Sequence, residues 1–175
     1  SAGAGPIEMQ WTPPAKDEGD LVMTLVFSGT GWFSFGIRRG MADADILMMR
    51  YTNGRGEIVD TASSGYVMPT ADGSQDARIE SATEEGGLTT ITFRRALDTG
   101  DASDKVITRG DTSLPVIFAW STSSDAFGFH GQDFTMGNID LFTSAEEAGD
   151  GGFASLDGDN SAYVAAFGYH ALSMF

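Results

Sequence analysis

Two side chains in this 175-residue sequence have the chemistry to hold a redox metal between them: Met41 and His130, nearly ninety positions apart. The sequence has no cysteine, which excludes disulfides, iron–sulfur clusters, thiolate-ligated haem and covalent CxxCH attachment. Only two histidines are present, His130 and His170, so a zinc site built on histidines is not supported. A methionine thioether is a soft ligand that haem iron accepts, most often opposite an imidazole, and that pairing raises the reduction potential. The expectation is a b-type haem with Met41 and His130 as axial ligands, and with His170 as the alternative imidazole.

A lone methionine is ordinarily core filler and a lone histidine ordinarily a hydrogen-bonded surface residue. The setting of these two argues otherwise. Each sits in a loop beside a strongly apolar run with aromatics close by: Trp32, Phe33 and Phe35 before Met41, and Trp120, Phe127, Phe129 and Phe134 around His130. Walls of that kind suit a porphyrin. Arg38 and Arg39, just before the methionine, are candidates to pair with haem propionates. Other chemistries find less. There is no GxxxxGK phosphate loop and no nucleophile elbow. The aspartate-rich stretches DTGDASD and DGDN resemble calcium-ligand spacing loosely, and the first lacks the glycine and distal glutamate of an EF-hand.

The elements that must carry these residues read as short strands. Within GWFSFGIRRGMADADILMMRY, strict alternation puts Trp32, Ser34 and Gly36 on one face and Phe33, Phe35 and Ile37 on the other. IEMQW is a candidate edge strand, LVMTLVF a buried one, and Ser28–Gly31 a hairpin turn between that strand and the next. Asn53-Gly54 signals a hairpin, with a return strand over 57–62. Strands are expected over 78–83 and 88–95 around Glu-Glu-Gly-Gly, over 114–121, and over 134–142. Residues 70–77 and 98–111 read as polar loops, 144–149 as a helical turn, and the apolar end SAYVAAFGYHALSMF as a last strand or an interaction tail. Short runs between glycine-rich turns predict an all-β, antiparallel immunoglobulin-like β-sandwich over residues 1–142, with 143–175 as a C-terminal extension.

Bulk composition agrees with one folded domain: 41% hydrophobic, 11% aromatic, with 23 glycines against 5 prolines. The net charge of −15 repels phosphate backbones and anionic lipid, so neither nucleic acid nor a membrane surface is an expected partner. It suits docking to a basic protein by long-range steering. No apolar run reaches the roughly 20 residues needed to cross a bilayer. The start, lacking an initiator methionine, suggests a trimmed N-terminus.

In its ordered segments the chain resembles the DOMON cytochrome domains, most of all the haem domain of fungal cellobiose dehydrogenases. GWFSFGIRRGMADADILMMRY is similar to the family's strand, glycine turn, ligand methionine and following strand, which assigns Met41. SGYVMPT resembles a Gly-Tyr-Val-x-Pro-Thr stretch whose tyrosine lies by the propionates, which points to Tyr66. FRRALDTGD and VIFAWS resemble the arginine-bearing strand and the core strand before the ligand loop, and HGQDFTMGNID the loop itself, which assigns His130. The fungal domain's cysteine pair is missing, and the acidic loop 98–111 and the tail after Thr143 find no counterpart.

The resemblance implies a secreted, non-catalytic electron-transfer domain, part of or partner to a larger oxidoreductase. Its redox partner would be a flavin dehydrogenase, a copper oxygenase or a membrane cytochrome. Two other readings use the same sandwich: a haem-free module that binds a sugar or a protein, with Trp11 as a stacking platform, and an assembly module that self-associates through the C-terminal segment.

Overall fold

Alternating burial along most of the strands builds the molecule, and β3 and β4 depart from it. The computed structural model describes residues 6–12, 14, 18–38 and 40–142, together with two short strands at 154–155 and 165–167. In chain order the strands are β1 (Ile7–Thr12), β2 (Asp20–Phe27), β3 (Phe33–Ile37), β4 (Ala44–Thr52), β5 (Arg55–Ser63) and β6 (Thr70–Ala71). They continue as β7 (Ala77–Glu85), β8 (Leu88–Ala96), β9 (Leu114–Trp120), β10 (Phe134–Ile139), β11 (Ala154–Ser155) and β12 (Ala165–Phe167).

One sheet runs β12-β1-β2-β8-β7 and the other β11-β10-β9-β3-β4-β5-β6. All pairings are antiparallel except β1 with β12. The all-β sandwich expected from the sequence is the fold observed, and no helix of the described residues is long and apolar enough to cross a membrane. The apolar C-terminal end supplies β12 to the edge of the first sheet, beside β1. The turn expected over 144–149 lies outside the described residues, as does His170.

Two turns follow the sequence signals closely. Asn53 and Gly54, with φ of 53° and 76°, join β4 to β5, and Gly86-Gly87, at 61° and 82°, join β7 to β8. Positive φ at both central residues matches the right-handed twist of a hairpin. Residues 28–31 behave differently. They are not a hairpin, because β2 and β3 belong to different sheets and the segment carries the chain across the sandwich. Gly31 is needed there: a Cβ would lie 2.0 Å from the Ser121 carbonyl oxygen.

The core lies between the sheets. Phe35 packs on Phe93 of the other sheet and on Phe118, with ring centroids 6.5 and 5.4 Å apart, and Phe27 meets Phe33 at 5.1 Å. Trp11, proposed from sequence as a sugar platform, is instead buried in this core, and its Nε1 donates to the Leu141 carbonyl at 3.1 Å. A buried ion pair also crosses between the sheets. Arg95 of β8 reaches Asp45 of β4 at 2.6 Å, both side chains being 1% exposed.

Strands β2, β8 and β9 alternate buried and half-buried residues, as sheets with one wet face do. Strand β3 does not: all five residues are buried. The first six residues of β4 are buried as well. Both faces of the second sheet are therefore covered at β3 and β4. The outer covering is a separate apolar cluster of Trp32, Ala44, Ile46 and Met48, flanked by Ile117, Ala119 and Phe127.

Candidate functional site

Four strands present their outward side chains in register, and these make a floor. Across β4, β3, β9 and β10 one row reads Met48, Ser34, Ala119, Phe134, and the next reads Ile46, Gly36, Ile117, Met136. In the first row the small Ser34 and Ala119 lie between Met48 and Phe134, and in the second Gly36 lies between Ile46 and Ile117, which hollows the sheet face along β3. A Cβ on Gly36 would meet Ile117 Cγ1 at 2.8 Å and Ile46 Cγ1 at 3.0 Å, so the centre of that row admits no side chain without movement. Ser34 turns its hydroxyl onto the Ala119 carbonyl at 3.3 Å and leaves the floor largely apolar.

Loops raise walls around this floor to enclose a cavity of about 480 Å³, within the roughly 300–1,000 Å³ usual for cofactor sites. From the β3–β4 loop come Gly40 and Met41, from the β5–β6 loop Tyr66, Val67, Met68 and Pro69, and from the β9–β10 loop Gly128, Phe129, His130 and Gly131. Large apolar side chains stand open at its rim. Phe129 is 90% and Tyr66 89% exposed, and Val67 and Met68 are also exposed. Isolated exposed hydrophobics are ordinary, but four on one rim mark a surface made to be covered.

Each wall is fixed by local bonding. The Ala44 amide donates to the Met41 carbonyl, which closes the turn ahead of β4. The Asp133 amide donates to the His130 carbonyl at 3.0 Å, with Gly131 at φ 64° inside that turn. The start of the same loop is stitched to β3, because Trp32 and Ser121 share a 2.9 Å amide bond and the Trp32 amide donates to Ser124. Its middle is held by Arg50, which lies over the Phe127 ring at 4.4 Å, donates to the Asp125 carbonyl at 2.9 Å and pairs with Glu57 at 2.5 Å. Phe127 in turn meets Trp32 edge-on at 6.3 Å.

His130 sits between Phe129 and Phe134, with ring centroids 5.6 and 5.4 Å away. Its Nδ1 is buried and has no hydrogen-bond partner. Burial lowers its pKa, against the pull of the Gly131 backbone and the Asp133 carboxylate, so the neutral imidazole that a metal requires is favoured. The donor set fits haem: an imidazole, a thioether sulfur and apolar walls on one cavity.

Of the residues singled out from the sequence, the cavity gathers Met41, His130, Tyr66, Trp32 and Phe129. It does not gather Phe35 and Trp120. Both belong to the core between the sheets, so the expectation that they wall the cofactor site is corrected. Parity explains it, since neighbours along a strand point to opposite faces. Arg38 pairs with Asp43 at 2.5 Å and does not line the cavity, and Arg39 lies outside the described residues. Of the floor, Phe134 had been named beside His130; Ser34, Ile46, Ile117 and Ala119 were missed, and so were three more methionines, Met48, Met68 and Met136. The available signal was that ILMM in β4 is apolar on both parities.

Comparison with known proteins agrees with this architecture. The structure is similar to the cytochrome domain of Myriococcum thermophilum cellobiose dehydrogenase, with a TM-score of 0.58 at 12% identity over 73% of this chain and 71% of that one. It is also similar to the cytochrome b domain of pyranose dehydrogenase from Coprinopsis cinerea, with a TM-score of 0.60 at 11% identity over 78% and 76%. At these identities the likeness is one of fold. The model of the DOMON domain family matches residues 5–121, well over half of the sequence, and the chain belongs to that family.

Proposed function

We propose that this DOMON domain binds haem b on the outer face of its second sheet and carries single electrons. The observation that bears the reading is that Met41 and His130 line one apolar cavity. Both similar structures are cytochrome domains of dehydrogenases, which supports the same cofactor here.

The residues divide the work. Met41 and His130 would hold the iron, and a thioether with an imidazole is a ligand pair suited to outer-sphere transfer. When bound, the haem supplies a one-electron couple between ferric and ferrous iron. Trp32, Ile46, Met48, Ile117 and Ala119 exclude water from the floor, and Phe129 and Phe134 hold the imidazole plane. Tyr66 stands at the open rim, where its hydroxyl can meet a propionate. The acidic chain favours a basic face on the redox partner. We take that partner to be a dehydrogenase domain on the donor side and the setting to be extracellular.

The test is a haemin titration followed by dithionite reduction. One equivalent should bind and give a low-spin spectrum. Met41→Ala should keep the haem and turn high-spin, while His130→Ala should lose most of it. Met68→Ala and Met48→Ala are the needed controls, since their sulfurs line the same cavity. A spectrum unchanged in Met41→Ala but lost in Met68→Ala moves the sulfur ligand. Failure to take up haemin defeats the proposal and favours a haem-free binding module.

A further inference from the structure

Away from the cavity, the tie between the sheets carries more charge than it balances. Asp45 on β4, Asp60 on β5 and Asp104 in the loop after β8 bring one carboxylate oxygen each within 4.8 Å of the others. Arg95 answers two of them, at 2.6 Å to Asp45 and 3.4 Å to Asp104. With all three ionised, one guanidinium would leave two negative charges uncompensated in the interior. The ammonium of Lys105 lies outside, paired with Asp43 at 3.3 Å, and only its backbone amide reaches Asp45.

Bare charge is not tolerated at such a site: burial without a counter-ion costs several kcal/mol per group, so a proton or a cation must enter. The orphaned atoms say where. Asp60 is 1% exposed, and its Oδ1 is buried with no hydrogen-bond partner while its Oδ2 accepts from the Asp76 amide. Asp104 Oδ2 is buried and accepts no hydrogen bond, with only the 3.4 Å ion pair to Arg95 beside it. Oxygens bound to one calcium ion at about 2.3–2.6 Å lie no more than about 5 Å apart, which this grouping satisfies. A polar cleft lined by Asp20, Gln75, Asp76, Arg78, Arg94 and Arg95 shares Arg95 with the cluster, and none of the three carboxylates lines it.

We propose that Asp45, Asp60 and Asp104 form a site for one hard divalent cation of calcium type, with Arg95 as the fixed fourth charge, which neutralises the junction between the two sheets. The proposal does not depend on haem. The hydroxyl-free, all-carboxylate donor set excludes soft metals, and the loop carrying Asp104 is tied to β4 by the same ion.

The experiment uses the whole chain, stripped with EDTA and held at pH 8 in about 0.15 M salt, where surface charges are screened beyond about 8 Å. Calcium is titrated by calorimetry and by thermal unfolding, in the wild type and in Asp60→Asn, whose neutral amide keeps the shape and removes one charge. Expected are one tight equivalent in the wild type, a Tm that climbs with the logarithm of calcium, and a loss of at least tenfold in affinity in Asp60→Asn. Asp104→Asn, at a loop position, should lose affinity likewise and serves if Asp60→Asn fails to fold. An equal Tm rise in wild type and variants would mean calcium on the acidic surface only, and would overturn the site. So would no binding, with Asp60 seen as a protonated carboxyl by infrared or NMR titration: the proton alone would then balance the cluster.

Discussion

Replacing Asp60 by asparagine should flatten the pH dependence of folding stability in a window set by the structure. Burial, with the charges of Asp104 and Asp45 behind it, pushes the Asp60 carboxyl up from its ordinary 3.8 to about 7, against the Asp76 amide and Arg95. The folded chain therefore holds a proton that the unfolded chain releases near pH 4. Between about pH 4 and pH 7 the native state binds more protons, so the contribution of Asp60 is full at the acid end and is lost as pH rises through 7. A shift of about three units at about 1.36 kcal/mol each is worth about 4 kcal/mol at most. Urea unfolding in EDTA, at half-unit steps from pH 4.5 to 8, measures it. The difference between wild type and Asp60→Asn should shrink by most of that amount across the window. His130, whose shift has the opposite sign, is common to both proteins and cancels. Curves that stay parallel from pH 4.5 to 8 would refute the reasoning.

Three substitutions around the cavity give separate readouts. Ala119→Leu puts a branched side chain into the middle of the floor and should weaken haemin binding by roughly tenfold or more, a cost of about 1.4 kcal/mol, with the fold kept by far-UV circular dichroism. Arg50→Met removes the ring contact with Phe127 and the bond to Asp125, and should cost about 1–2 kcal/mol of stability by denaturant melts while adding a high-spin fraction to bound haem. Gly131→Ala forces a Cβ into positive φ at the turn beside His130. It should cost about 1 kcal/mol and loosen the imidazole, which a faster loss of haemin to apomyoglobin would report.

The sequence carried some of this directly and hid the rest for physical reasons. Hairpins at Asn53-Gly54 and Gly86-Gly87 are local chemistry, so they were legible. So was the sandwich, because alternation is local too. Residues 28–31 misled because a turn between two strands does not say whether they share a sheet. Met41, His130, Tyr66, Trp32 and Phe129, singled out from the sequence, line one cavity, and all but Trp32 sit in loops of distinctive composition. Phe35 and Trp120 were misplaced by counting aromatics near the ligands instead of following parity along β3 and β9. The floor needs the register of four strands, and Ser34 facing Met48 and Ala119 cannot be read from one strand alone. Arg95 shares its parity with Ile91 and Phe93 and Asp45 with Leu47 and Met49, which marks both as inward, but at fifty residues apart nothing local says that they meet.

Iron K-edge absorption of the haemin-loaded, reduced protein tests the central claim most directly. The account predicts a first shell with one sulfur beside the porphyrin and imidazole nitrogens, lost in Met41→Ala and kept in Met68→Ala. A shell without sulfur in the wild type, or a protein that never takes up haemin, would contradict it.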